Sequence, residues 1–203
     1  MNKSFLLLVF LSIVLGCGGS SNSDNSNSIP LETGFNPKCT PYNATITIYP
    51  SPYEGTLRRC NTSDRQFYVY LPEDYSEVGS SYPAMFSLHG YTSTALTNMS
   101  YTGFMKQADI NDFVVIYPQG LVHETKGGTH WNTDEIGPGN SVNSIEFLES
   151  VLDWVGQNYN IDLNRFYSAG MSNGGFMSYH LACNITSKIS AIASVTGSMS
   201  VFS

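Results

Sequence analysis

The run Arg165-Phe166-Tyr167-Ser168-Ala169-Gly170-Met171-Ser172-Asn173-Gly174-Gly175, continued by Phe176-Met177-Ser178-Tyr179-His180-Leu181-Ala182, decides how the chain is read. A short apolar stretch leads into Gly170-x-Ser172-x-Gly174, and a helix-forming segment follows. A serine flanked in this way sits at the tip of a sharp strand-to-helix turn, where a Cβ on either side would clash and the hydroxyl stands free. The backbone N–H of Asn173 then opens a helix and can face developing negative charge on a carbonyl oxygen. Ser172 is therefore the candidate nucleophile and Asn173 N–H a candidate oxyanion donor. The strand before the motif, the second glycine Gly175 and the helix after it distinguish this stretch from an ordinary Gly/Ser-rich connection.

Working outward, the segments on the N-terminal side supply the sheet. Ala84–Leu88 and Phe113–Tyr117 are nearly continuous apolar runs, as in strands buried on both faces. Gln66–Leu71 and Thr45–Tyr49 alternate, which predicts antiparallel strands with one wetter face. Leu96–Ile110 predicts a helix. So does Ile145–Tyr159, where Ile145, Leu148, Leu152 and Val155 share one face. Ser190–Val195 predicts a last strand. Strands alternating with helices predict an α/β fold with a mostly parallel, doubly wound sheet.

The totals narrow the class. Apolar residues make up 41% of 203, enough for the core of one soluble domain, while only 12% are charged. Ser, Asn, Thr, Gly and Tyr fill the deficit, a composition common in exported proteins. A net charge of −7 with no basic cluster argues against nucleic acid as a partner. Residues 1–16 read as a signal peptide: Lys3 gives the positive start, and Phe5–Leu15 is an apolar run too short to span a bilayer. Val14-Leu15-Gly16-Cys17 resembles a bacterial lipobox, which predicts Cys17 as a lipidated first residue of an envelope or cell-surface protein; secretion after an ordinary signal peptide is the alternative. Residues 17–28, apolar-free after Cys17, predict a disordered spacer. Residues 29–64 read as an N-terminal arm with the first strand, and 65–203 as the catalytic domain. Export permits disulfides, and Cys39–Cys60 is a candidate bridge across the arm, which leaves Cys183 unpaired. No Cys/His spacing predicts a metal site.

Leu88-His89-Gly90-Tyr91-Thr92 ends an inner strand, where Gly90 lets the backbone turn close to a substrate. Tyr91 N–H, or less favourably Thr92 N–H, is the second candidate oxyanion donor. His89 is expected to brace that loop rather than act as a base. Tyr117-Pro118-Gln119-Gly120 is expected on the same rim. Trp131, in the Gly-rich loop 127–139, is either a rim aromatic that stacks on substrate or a loop anchor.

Taken in order, Leu88-His89-Gly90, Phe113–Gln119, Trp131-Asn132, Tyr159–Arg165 and Gly170–Gly175 resemble the polyhydroxybutyrate depolymerase and feruloyl/acetylxylan esterase group of α/β-hydrolases. The likeness covers about Arg65 to Gly197. It implies a secreted serine esterase without a cofactor, acting on ester substrates in a polymer or plant polysaccharide, with Ser172 as nucleophile. Asn143 and Ser144 depart from the acidic residues many relatives carry there. A serine needs a base, and the base an orienting carboxylate, in the order Ser, acid, His for this fold. None of Asn173–Ser203 is Asp or Glu, and their one histidine is His180. Eight residues along the same helix put it ~12 Å from Ser172, beyond proton transfer. His123 and His130 precede the serine. The expectation is thus an α/β-hydrolase domain incomplete at its C-terminus, ending on an uncovered apolar edge strand and inactive as this chain. A non-catalytic glycan- or polyester-binding lipoprotein and a serine peptidase are the alternatives.

Overall fold

The computed structural model describes residues 34–43, 53–133 and 143–199. The signal peptide, Cys17, the spacer and the strand expected at Thr45–Tyr49 lie outside them. Seven strands form one sheet in the order β1-β2-β3-β5-β4-β8-β9. These are β1 (Lys38–Pro41), β2 (Thr56–Asn61), β3 (Gln66–Leu71), β4 (Tyr82–Leu88), β5 (Val114–Pro118), β8 (Ile161–Met171) and β9 (Ala191–Val195). A separate two-stranded ribbon pairs β6 (Leu121–Val122) with β7 (Thr129–His130). The centre β5-β4-β8-β9 is parallel, and β1, β2 and β3 are added antiparallel on the β5 side. The sheet is therefore mixed, with its parallel part confined to the strands joined by helical crossovers.

Successive side chains point to opposite faces, so each inner strand feeds two cores. Phe67, Val69 and Leu71 of β3, with Phe86 and Ile116, pack against α3 (Ser144–Asn158) and α4 (Asn173–Asn184) through Leu148, Leu152, Met177 and Leu181. Tyr68, Tyr70, Val115 and Tyr117 face the other way, onto α1 (Ala95–Thr102) and α2 (Phe104–Asn111) through Met99 and Met105. Burying one such large apolar side chain contributes roughly 1.5–3 kcal/mol.

Three expectations need correction. The wetter face expected for Gln66–Leu71 is absent: Tyr68 and Tyr70 are buried too. Tyr70 can be buried because its hydroxyl donates to the Asp109 carboxylate at 2.7 Å and accepts from Gly55 N–H at 2.8 Å. The helix expected over Leu96–Ile110 is two helices, since Gly103 at φ 66° takes the left-handed conformation that ends α1. The strand before Ser172 is longer than Arg165–Ala169 and runs from Ile161 to Met171. Among the described residues β9 pairs only with β8, and its Val195 is 57% exposed.

Cys39 and Cys60 face each other in the β1–β2 register and form a disulfide. No cysteine among the described residues is free, which corrects the expectation of an unpaired Cys183.

Candidate active site

Ser172 lies between the end of β8 and the start of α4, exposed, with φ 51° and ψ −120°. That is a strained conformation for a residue with a Cβ and typically costs about 1–3 kcal/mol. Its neighbours hold it there. Ser172 N–H donates to Val195 O on β9 at 2.8 Å, and its carbonyl accepts from Phe176 N–H at 3.0 Å as α4 begins. The glycines are needed for close approach. A Cβ on Gly170 would fall 2.2 Å from Gly174 O, and one on Gly174 would fall 2.3 Å from Leu88 O. The turn is thus pressed both onto its own helix and onto the end of β4.

The Gly90 bend lies against this turn: a Cβ on Gly90 would meet Met171 O at 3.3 Å and Ser172 Cβ at 3.7 Å. Gly90 to Ser93 is a four-residue turn closed by Ser93 N–H to Gly90 O at 3.2 Å, with Thr92 at φ 64°. Thr92 N–H is committed to Thr129 O at 2.8 Å. Tyr91, in the second position of the turn, has an N–H that the turn itself does not use. Of the two candidates in this loop, Tyr91 is the one left to donate. Its phenol is held away by donating to Gly127 O at 2.8 Å.

His89 braces the bend from below and is fully buried. Gly120 N–H donates to its Nε2 at 2.9 Å, so the proton sits on Nδ1, which donates to Gly90 O at 2.8 Å. Burial lowers the pKa of His89 to about 4, with the hydrogen bond to Gly90 O pulling the other way and nearby His130 adding to the drop. The ring is neutral and committed, as expected of a brace. Gln119 closes the same rim: its Oε1 accepts from Ala95 N–H at 2.9 Å, which seats the start of α1.

Trp131 settles between its two sequence readings. It is fully buried, its indole N–H donates to His89 O at 2.9 Å, and its ring packs on His89 at 4.9 Å between centroids. No face is open to a substrate, so the assignment to the substrate rim is corrected to a loop anchor. The glycan- or polyester-binding alternative loses the residue it rested on.

One feature of the site is not legible from the motif. The Asn173 side chain, as well as its N–H, is engaged. Its Oδ1 accepts from Trp131 N–H at 2.7 Å, and its Nδ2 donates to Trp131 O at 3.1 Å and to Thr133 Oγ1 at 2.7 Å. Trp131 therefore joins the two sides of the site, with its backbone on Asn173 and its indole on the His89–Gly90 bend. Asn143 and Ser144, which depart from the family pattern, also have structural work. Asn143 Oδ1 caps α3 by accepting from Ile145 and Glu146 N–H, and Ser144 Oγ accepts from Asn132 N–H at 3.0 Å.

Among the described residues no hydrogen bond joins Ser172 Oγ to His89, His123, His130 or His180. His180 is buried on α4, as its spacing predicts. His123 and His130 face each other at 4.8 Å beside the two-stranded ribbon. No cluster of side chains among the described residues can hold a metal ion.

A sheet with a parallel centre whose strand β8 leads into an exposed, strained serine at a helix N-terminus is the α/β-hydrolase arrangement. Solved structures agree at the level of fold. An acetyl xylan esterase from Aspergillus awamori superposes with a TM-score of 0.54 at 18% identity, over 68% of this chain and 50% of that one. An S-formylglutathione hydrolase from Agrobacterium tumefaciens gives 0.56 at 16%, over 73% and 61%. The Esterase family model matches residues 61–201, and the chain belongs to that family. Among curated relatives, a bifunctional acetylxylan esterase/xylanase of Neocallimastix patriciarum is 31% identical over 69% of this chain and 19% of its own length. Acetylxylan esterase A of Emericella nidulans is 31% identical over 60% and 38%, and feruloyl esterase D of Neurospora crassa 28% over 68% and 47%. The matched region thus spans less than half the length of each of these three relatives.

Proposed function

We propose that the chain carries the nucleophile and oxyanion donors of a serine esterase site that cleaves acetyl or feruloyl esters of plant polysaccharide. The observation that carries this reading is Ser172, exposed and strained at the start of α4 with the Gly90 bend against it. Ser172 Oγ attacks the ester carbonyl carbon as its proton passes to a base. The carbonyl oxygen becomes an oxyanion between Asn173 N–H and Tyr91 N–H, and each such donor is worth about 2.7–4 kcal/mol in the transition state. The tetrahedral intermediate collapses, the alcohol leaves with a proton, and water releases the acid from the acyl-serine by the same steps in reverse roles. The general base and its carboxylate come from outside the described residues.

The relatives' names favour acetyl and feruloyl esters over the polyhydroxybutyrate that the sequence resemblance also allowed. Export to the cell surface completes the proposal and rests on the signal-like residues 1–16 alone.

The test uses the chain with every residue its gene encodes. It should hydrolyse p-nitrophenyl acetate and methyl ferulate and react stoichiometrically with a fluorophosphonate. Ser172→Ala should abolish both. Turnover retained in Ser172→Ala overturns the assignment.

A further inference from the structure

Arg65 is only 8% exposed, and its Nε is buried without a partner among the described residues. The cation lies over the Phe147 ring, 3.6 Å from its centroid. Burial pulls its pKa down to about 10, with Asp64 pulling it back up. A guanidinium carries five donors, and leaving its buried Nε–H unmet away from water is costly. It lines a cavity of about 380 Å³ between the β2–β3 turn and the start of α3, which also shows Phe35, Asp64, Asn143 and Glu146. That volume falls in the range of small-molecule sites.

The lining selects a ligand class. Arg65 offers donors, and so does Asn143 Nδ2, since Asn143 Oδ1 is spent on capping α3. Glu146 offers a carboxylate, and Asp64 another, with its Oδ1 already accepting from Thr62 and Ser63 hydroxyls. Two carboxylates beside one guanidinium make the cavity net negative and disfavour an anion. Paired donors and acceptors beside an aromatic ring instead match vicinal hydroxyls, each of which both donates and accepts.

The cavity also shares the edge of the sheet that bears Ser172. β3 starts where antiparallel β5 ends, with Gln119 N–H on Gln66 O at 3.0 Å. Asn173 holds Trp131, and the next residue, Asn132, donates to Ser144 at the start of α3.

We propose that this cavity is a binding site for a neutral saccharide, with Arg65 donating to sugar oxygens and Glu146 accepting from sugar hydroxyls. It goes beyond the reading of Ser172, and only the choice of xylobiose as probe rests on that reading. The test is titration of the full chain carrying Ser172→Ala with xylobiose, followed by calorimetry or amide chemical shifts, with glucuronate and sulfate as comparison probes. Xylobiose should saturate in the millimolar range and perturb amides of the 62–65 turn and the first turn of α3. Glu146→Gln, at an exposed position, should weaken it about tenfold, as should Arg65→Lys if that variant keeps its thermal transition. No saturation, unchanged affinity in Glu146→Gln, or tighter binding of glucuronate or sulfate overturns the proposal. Turnover surviving in Ser172→Ala would sink the esterase reading and leave this binding intact, so the two failures are distinct.

Discussion

Asn173→Ala is the sharpest probe of how the site is held. The side chain is 2% exposed and makes three hydrogen bonds, two to the Trp131 backbone and one to Thr133. Removing it leaves Trp131 N–H buried with no acceptor, which costs about 1–3 kcal/mol, and forfeits two further bonds at about 0.5–1.5 kcal/mol each. The expected loss is about 2–6 kcal/mol, a large share of a typical domain's stability. Urea unfolding measures it. The Trp154→Phe background leaves Trp131 as the single indole to report on the loop. Because Trp131 also donates to His89 O, the Gly90 bend should shift too, and ester turnover should fall about 10- to 100-fold although both oxyanion N–H groups remain in the chain. A stability loss below about 1 kcal/mol, with indole emission unchanged, would show that the Asn173 bonds are not what fixes the loop and would refute the reasoning.

Two other perturbations separate strain from chemistry. Ser172→Gly should raise the unfolding free energy by about 1 kcal/mol while abolishing turnover, because glycine tolerates φ 51° at no steric cost; a destabilised variant under urea denaturation would mean the turn is not strained. His89 is held neutral, with its folded pKa near 4 below an unfolded value of about 6.5. Between those values the unfolded chain binds the extra proton, so its contribution is full above about pH 6.5 and is lost as pH falls toward 4, in all about 3 kcal/mol. The urea midpoint should drop across that window, and His89→Gln should flatten the drop; an unchanged slope in the variant would remove His89 as its cause.

The central strands and the serine turn were legible because each rests on local chemistry. Short β-branched apolar runs such as Val114–Tyr117 fit strands buried on both faces, and Gly170 of the Gly170-x-Ser172-x-Gly174 turn meets backbone only a few residues away, at Gly174. The rest depends on contacts distant in sequence. β2 went unread because Thr-Leu-Arg-Arg-Cys-Asn has no apolar alternation; it is a strand because β3 and the Cys39 disulfide pair with it. The break at Gly103 is a local signal overridden by the apolar run around it. Trp131 was undecided because an indole serves a wet rim or a dry anchor equally well, and only the position of His89 O, 42 residues away, settles the choice. Arg65 was invisible as a site residue for the opposite reason. A lone arginine before a strand reads as surface charge, and its significance lies in acceptors that are missing, which no sequence pattern records. Residues that shape their own turn can be read from the chain, while residues that join one loop to another need the fold. The oxyanion donors belong to the first kind by position and to the second by orientation. Substitutions at Trp131 and the Asn173 side chain should therefore disturb turnover without touching any group that meets the ester.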